Sequence, residues 1–268
     1  MSHQDPLVVD DPILRRWMDD GSHDIGFLWE LCMHFEFDRD EVADGIAAWL
    51  GAPDGLSVLD CACGSGFPAL QLIQRGYDMT CTDGSELMLR HFRRNAQILG
   101  CEVEPVRALW AELPGRYADR FDVVINRGGG NYKYAGAWDE ERLPDRSAMA
   151  EAIGQWIACV RPGGRFYIDI ASDAEMRRVG SWETRHPLML IGEHRIELTE
   201  RIEVDEARAV RVWESRLVID GTPHEFRRLS HCIDSAELVQ ILKDGGLVDI
   251  RRTEVSGEYY DIYTARRP

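Results

Sequence analysis

The residues best placed for chemistry lie within residues 57–85, which read SVLDCACGSGFPALQLIQRGYDMTCTDGS. This stretch predicts a strand ending at Asp60, a turn around Gly64 and Gly66, a helix, and a strand ending at Asp83. Glycines let a ligand approach the backbone closely, and a helix N-terminus presents free N–H groups beside them. An acid at the end of the second strand can accept hydrogen bonds from both hydroxyls of a ribose. The stretch therefore predicts a site for a ribose-containing ligand.

Two other interpretations fit parts of this pattern. Residues 64–69 satisfy the dinucleotide pattern G-x-G-x-x-A, which is typical of an NAD(P)-dependent oxidoreductase. A glycine turn followed by an acid at a strand end also occurs as a plain connection in a βαβ unit. A nicotinamide site more often starts its glycines directly after the strand, without Asp60 and Cys63 before them. This difference weakens the oxidoreductase interpretation and leaves it open.

Residues 60–66 (DCACGSG) resemble the first motif of class I S-adenosylmethionine (SAM) methyltransferases, an acid followed by a G-x-G turn. Asp83 falls where that family keeps its ribose-binding acid. The resemblance spans about residues 40–170, and with Leu109 and Trp110 it is closest to the glycine/sarcosine/dimethylglycine N-methyltransferase-like group. It implies an α/β fold with a Rossmann-like, seven-stranded, mostly parallel sheet and an antiparallel last strand. A helical N-terminal cap and a small antiparallel β insertion complete the expected fold.

The resemblance also implies the cofactor, SAM, with S-adenosylhomocysteine (SAH) as its product. Arginines upstream of the glycine motif bind the methionine carboxylate in this group, and Arg39 has about that position. A solvated arginine at a helix start fits Arg39 equally well. Trp110 offers a flat ring for the adenine, with a buried loop anchor as the alternative. The expected cofactor contacts are Arg39, Asp60, Ala62, Gly64, Gly66, Asp83, Gly84, Leu109, Trp110 and Asn126.

The segment NRGGGNYKY follows the predicted fourth strand. Ligands of open α/β sheets bind at the carboxyl ends of the strands, so we expect this loop to face the transferred methyl group. Betaine-forming relatives have R-G-N-S here, whereas three glycines follow Arg127 in this chain. Predicted substrate contacts are Arg127, Gly129 and Asn131. A tyrosine could accept the remaining N–H of an amine, which makes Tyr132 and Tyr134 the candidate catalytic groups.

Methyl transfer from SAM is an in-line displacement, and placing the nucleophile can supply much of its rate. The sequence accordingly shows no catalytic triad or metal-ligand spacing, and we expect no metal. The resemblance implies transfer to the nitrogen of a small amine or amino acid, in glycine betaine-type chemistry. A small-molecule O-methyltransferase of natural-product metabolism is an alternative, and a SAM-binding subunit without catalysis is another.

Bulk properties narrow the class of protein. The net charge of −16 over 268 residues disfavours nucleic acid as a partner. No apolar run has the length of a membrane span, and the acidic N-terminus is unlike a signal peptide, so we expect a cytoplasmic protein without a membrane partner. Seven cysteines without a metal-site spacing predict reduced thiols. A homodimer is the prior expectation for the assembly.

The chain divides into four predicted segments. They are a helical cap (1–50), a SAM-binding core (51–170), an antiparallel β roof over the substrate (171–232) and the completion of the core sheet (233–268). Residues 1–10 are expected to be a loose arm, and residues 102–107 an edge strand. The roof strands are predicted at 194–204, 210–219 and 224–232. One roof arginine could clamp a substrate carboxylate; the candidates are Arg195, Arg201, Arg211 and Arg216.

Overall fold

A computed structural model describes residues 5–21, 23–135, 142–176 and 178–268. Several helices begin at a side chain that accepts first-turn N–H bonds, among them Asp11, Asp38, Ser85 and Asp234. The helices are α1 (Pro12–Asp20), α2 (Ile25–Glu36), α3 (Arg39–Leu50), α4 (Ala69–Gln74), α5 (Glu86–Leu99), α6 (Leu113–Tyr117), α7 (Arg146–Ile157), α8 (Asp173–Met176) and α9 (Ser235–Asp244).

The described strands form two sheets. The strands are β1 (Leu7–Val8), β2 (Ser57–Asp60), β3 (Asp78–Asp83), β4 (Val106–Arg107), β5 (Phe121–Asn126), β6 (Val160–Ile170), β7 (Gly180–Arg185), β8 (Met189–Ile191), β9 (His194–Asp205), β10 (Val210–Ile219), β11 (Thr222–His231), β12 (Val248–Thr253) and β13 (Asp261–Arg266). Among the described helices, none has the length and hydropathy needed to cross a bilayer.

The larger sheet has seven strands in the order β12-β13-β6-β5-β2-β3-β4. Strand β13 runs antiparallel to both β6 and β12, whereas the other neighbours are parallel. This arrangement confirms the predicted α/β fold. The order places β2 between β5 and β3, so the loops after these three strands emerge side by side at one edge.

Both faces of this sheet are buried, as a parallel sheet requires. Val58 and Val123 pack into the cluster on one face with α3 and α5. Leu59 and Val124 point to the other face, where Trp156 of α7 is fully buried. Alternate residues of β2 and β5 therefore pack against the helices on opposite faces of the sheet. This packing fixes the strand ends that carry the polar residues.

Contacts divide the chain into two compact units. One contains residues 37–136, 144–177 and 233–268, including the seven-stranded sheet; the other contains residues 1–36, 137–143 and 178–232. Helix α3 thus packs with the seven-stranded sheet, whereas α1 and α2 belong to the other unit. The predicted boundaries of the cap and of the roof over the substrate remain predictions.

The second unit contains a six-stranded sheet in the order β1-β8-β9-β10-β11, with β7 also paired to β9. Its antiparallel strands confirm the predicted β insertion. Helix α2 packs on it through Trp29, whose ring meets Trp213 edge-on at 5.0 Å. The prediction of a loose arm is wrong for Leu7–Val8, which pairs in parallel with Met189 and Leu190. Residues 1–4 of that arm lie outside the described residues.

The predicted edge strand at residues 102–107 is shorter in the structure. Only Val106 and Arg107 pair with β3. Pro105 has no N–H to donate to a ladder, and this accounts for the late start of the strand. The sequence patterns do not predict strands β7 and β8.

Two helical glycines provide a matched test of packing. A Cβ on Gly45 of α3 would lie 2.2 Å from the Ser256 carbonyl oxygen, whereas a Cβ on Gly154 of α7 would meet nothing within 4 Å. We expect Gly45→Ala to lower the free energy of unfolding by about 1–3 kcal/mol, and Gly154→Ala to raise it by about 0.5–1 kcal/mol. Urea unfolding measures both. Equal effects of the two substitutions would contradict the close approach at Gly45.

Candidate functional site

The glycine turn after β2 is held by the carboxylate that ends β3. Asp83 Oδ2 accepts the Gly64 N–H at 2.9 Å, and Oδ1 accepts the Ser85 N–H at 2.8 Å. Gly64 adopts a φ of +52°, in the left-handed region that favours glycine. One side chain thus fixes both the turn and the start of α5. Each carboxylate oxygen has a second lone pair for a hydroxyl group.

Asp60 is a second acid at the same turn. Its side chain accepts the Ala62 N–H at 3.1 Å, and the residue is almost fully buried. Burial, with a smaller contribution from the charge of Asp83, raises the pKa of Asp60 to about 7. Burial also raises the pKa of Asp83. Two desolvated acids therefore flank the turn, and together they favour a cationic group and repel an anion.

A wall of aromatic, apolar and amide side chains adjoins this turn. Trp110 Nε1 donates to the Cys61 carbonyl at 2.7 Å, and its ring meets Trp156 edge-on at 4.8 Å. Asn126 Nδ2 donates to Cys61 Sγ at 3.6 Å, while its buried Oδ1 has no hydrogen-bond partner among the described residues. Trp110 is thus anchored in the loop. Stacking of its ring on an adenine stays a prediction.

Leu109, beside Trp110, is 59% exposed. A Cβ on Gly84 would lie 3.2 Å from Leu109 Cδ2, so these two predicted contacts are neighbours. Arg39 lies at the start of α3, and its guanidinium sits 4.8 Å from the centre of the Phe67 ring. The ten predicted cofactor residues are therefore collected around residues 60–67 and the ends of β3, β4 and β5.

The glycine loop after β5 wraps around one carboxylate. Asp169 Oδ2 accepts the N–H groups of Gly128 at 2.7 Å and Gly129 at 2.8 Å, and Oδ1 accepts that of Gly130 at 3.0 Å. All three glycines have positive φ. The carboxylate is fully buried, and the three successive donors compensate it. Asp169 therefore sets the course of the loop that carries the predicted substrate contacts.

Arg127 forms a buried ion pair. Its Nε donates to Glu258 Oε1 at 3.0 Å and its Nη2 to Oε2 at 2.9 Å, while Tyr167 Oη donates to Oε1 at 2.8 Å. The guanidinium also lies 4.2 Å from the centre of the Phe37 ring. Asn131 Nδ2 donates to the Arg127 carbonyl at 2.8 Å. Both side chains therefore have hydrogen-bond partners within the protein. Contact of Arg127 or Asn131 with a substrate stays a prediction.

The two candidate catalytic tyrosines are buried. Tyr132 belongs to the core cluster around Trp156, and its hydroxyl has no hydrogen-bond partner among the described residues. Burial raises its pKa well above the ordinary value, so the hydroxyl is protonated at neutral pH. Tyr134 is also buried. Their predicted role with an amine N–H is untested by this geometry.

Sequence reasoning missed Asp169 and Glu258. Neither residue is among the predicted cofactor, substrate or catalytic residues. The three glycines after Arg127 indicate a loop without side chains, but they do not indicate which group accepts hydrogen bonds from their N–H groups. A buried strand ending in an acid, opposite a run of three glycines, is the signal that could have identified Asp169.

One described cluster has metal-ligating side chains. Glu36, His186 and Glu200 each place a ligand atom within 4.8 Å of the others. His186 Nε2 bonds to Glu200 Oε2 at 2.7 Å, and Trp213 Nε1 donates to Oε1 at 2.7 Å. The Glu200 hydrogen bond contributes to raising the pKa of His186, against the lowering effect of burial. The two neighbouring carboxylates favour the protonated form of His186.

Among the roof arginines, Arg201 pairs with Glu203 and Glu214, and Arg216 pairs with Glu225. All of these side chains are exposed; the Arg201–Glu203 pair lies within β9, and the other two pairs join neighbouring strands. Surface pairs of this kind contribute little to stability, and they give no support for a substrate clamp at either residue.

Comparisons with known proteins agree with this geometry. Residues 58–164 match the family model described as a methyltransferase domain. Glycine/sarcosine N-methyltransferase of Aphanothece halophytica is 37% identical over 68 residues, which cover 25% of this chain and 26% of that protein. The chain thus matches the first curated relatives over about a quarter of their length.

Solved structures share the fold over nearly the whole chain. DesVI of Streptomyces venezuelae has a TM-score of 0.72 at 15% identity, covering 92% of this chain and 100% of that one. SAM-bound CalS10 of Micromonospora echinaspora, an amino pentose methyltransferase, has a TM-score of 0.68 at 17% identity, covering 90% and 97%. Identities this low show the fold alone.

The methyltransferase-domain match over residues 58–164, the glycine turn and the shared fold bear out the predicted resemblance to class I SAM-dependent methyltransferases. Within that class, its curated relatives include the glycine/sarcosine N-methyltransferases, the group that the sequence also resembles.

The Arg127–Glu258 pair can be tested by removing one partner and then both. We expect Arg127→Met to lower the free energy of unfolding by about 3–5 kcal/mol, because it leaves a buried carboxylate without its cation. The double variant Arg127→Met/Glu258→Gln keeps an acceptor for Tyr167 and should recover about half of that loss or more. Denaturant unfolding of the three proteins measures this coupling. Additive losses would contradict a paired interaction.

Proposed function

We propose that this protein transfers a methyl group from SAM to the nitrogen of a small amine, amino acids included. The observation that carries the proposal is the pair of acids at the glycine turn, the buried Asp60 and the partly buried Asp83. SAM carries a sulfonium and a ribose. The acids supply negative charge for the first and hydrogen-bond acceptors for the second.

The same acids count against a nicotinamide dinucleotide. A pyrophosphate binds to free N–H groups at a glycine turn and helix start. Here the Gly64 and Ser85 N–H groups already donate to Asp83, and Asp60 adds a further negative charge when it is ionised. An anion at this turn would meet like charge instead of open donors, so the oxidoreductase alternative loses support.

When bound, SAM supplies an activated methyl group, and the residues of this chain have to bind and orient the reactants. Asp83 would hold the ribose hydroxyls, Leu109 and Trp110 the adenine, and Arg39 with the glycine turn the methionine part. Asn126 and the loop that follows it would orient the acceptor. The buried Oδ1 of Asn126, which has no hydrogen-bond partner among the described residues, suits an N–H donor.

Nitrogen is favoured as the acceptor atom for two reasons. Curated relatives are named as glycine/sarcosine N-methyltransferases, and SAM-bound CalS10 is described as an amino pentose methyltransferase. The negative charge at the turn and the net charge of −16 also suit an amine better than a nucleic acid or a phosphate ester.

The role of Asp83 can be separated from its support of the turn by a double cycle. The ligands are SAH and its 2′,3′-dideoxyribose analogue, titrated calorimetrically into the parent and Asp83→Asn, with NADH as a control. For the parent, we expect loss of the hydroxyls to weaken binding by about tenfold or more, as a charge-assisted hydrogen bond implies. For Asp83→Asn, the same change should cost much less. Equal losses in both proteins would refute the ribose contact, and binding of NADH without SAH would refute the proposed function.

The pKa of Asp60 predicts a pH dependence of SAM binding. A cation favours the ionised carboxyl, which is depleted as pH falls below about 7 in the free protein. We expect the Kd of SAM to rise by up to about tenfold per pH unit below 7, and to level off above pH 8. In Asp60→Asn this component should be absent. A parent and variant with the same pH profile would contradict the assignment.

A further inference from the structure

We propose that the methyl acceptor is an amine without a carboxylate beside the reacting nitrogen, so that free amino acids such as glycine and sarcosine are excluded. The inference rests on the proposed methyl transfer and narrows its acceptor. It is drawn from the donors of the loop after β5, which are already engaged by acids of the chain itself.

An amino acid acceptor has a carboxylate that must leave water on binding. A protein compensates such a group with a guanidinium or with converging backbone N–H groups. The loop at residues 127–131 contains both kinds of donor, and the sequence alone predicted that they would contact the substrate. A substrate carboxylate can bind to these donors only where they are not already bonded within the protein.

The guanidinium is not available. Arg127 is bound in bidentate fashion by Glu258, and the side chains of both residues are almost completely buried, at 4% and 1% exposure. Tyr167 donates to the same carboxylate, and the Phe67 ring lies 4.8 Å from the guanidinium carbon. The charge of Arg127 is balanced internally, so a substrate carboxylate would have to compete with an intramolecular partner.

The glycine N–H groups of this loop are occupied as well. All three glycine N–H groups donate to Asp169, and Asn131 donates to the Arg127 carbonyl. Asp169 is fully buried at the end of β6 and cannot turn out to solvent. Displacement by a substrate carboxylate would leave Asp169 buried without its donors, an arrangement that strongly disfavours the exchange. Lys133, beside this loop, is buried and also engaged.

The polar groups that remain available at this edge are hydrogen-bond acceptors and carboxylates rather than donors. The Asn126 Oδ1 acceptor has no partner among the described residues, and Asp60 and Asp83 add negative charge at the neighbouring turn. Such a surface accepts N–H groups and cationic or neutral carriers, and it offers little to an anion. The acceptor class that fits is an amine on an uncharged carrier, with a hydroxyl where an amino acid has its carboxylate.

A matched pair of probes tests this directly. Sarcosine and N-methylethanolamine differ only in a carboxylate against a hydroxymethyl group. Each is titrated into the SAH-loaded protein, and glycine and ethanolamine are compared as acceptors with SAM. We expect sarcosine to bind no more tightly than N-methylethanolamine and glycine to react no faster than ethanolamine. Tighter binding of sarcosine by tenfold, or faster methylation of glycine, would overturn the inference.

The variant Asp169→Asn adds a gain-of-binding test. Removing the charge while keeping the side-chain shape should free the glycine N–H groups in part, so that sarcosine binds at least tenfold more tightly than to the parent. No gain in a folded variant would overturn the inference, and the parent titration decides alone if the variant does not fold. Absence of SAH binding in the parent would instead refute the proposed function, so the two failures are distinguishable.

Discussion

The site depends on carboxylates at strand ends that hold the backbone N–H groups of neighbouring loops. Asp83, at the end of β3, holds the turn after β2; Asp169, at the end of β6, holds the loop after β5. In each case an acid gains N–H donors, and the course of a glycine-rich segment is fixed. Because these strands belong to one buried sheet, both loops start from fixed strand ends.

This use of acids sets the electrostatics of the site. Internal carboxylates saturate the donors that would otherwise attract anions, while Asp60 keeps a raised pKa. These carboxylates therefore place negative charge at this edge and occupy several of its N–H donors. Desolvation strengthens the effect, because charges in a buried setting are screened far less than on the surface.

The sequence predicted those parts of the site whose geometry is local. The turn at residues 60–66 and the acid at Asp83 follow from strand, glycine and helix signals within one βαβ unit. The partners that were missed are remote in the chain: Asp169 lies 41 residues from Gly128, and Glu258 lies 131 residues from Arg127. No periodicity links such positions, and the pairing of Leu7 with Met189 escaped notice for the same reason. The roles of Arg127 and Tyr132 were harder still to predict, because burial depends on how the whole sheet packs.

The second unit is assembled from distant parts of the chain, and this bears on how it folds during synthesis. Helix α2 ends about 170 residues before β10 begins, and the Trp29 ring has Trp213 as its partner. At ribosomal rates of about 5–20 residues per second, α2 emerges roughly 10–30 s before that strand exists. The apolar face of α2 therefore has no β10 to pack against until late in synthesis. Contacts between segments this far apart in the chain slow folding. The seven-stranded sheet faces a similar delay, since β13 is nearly the last segment made.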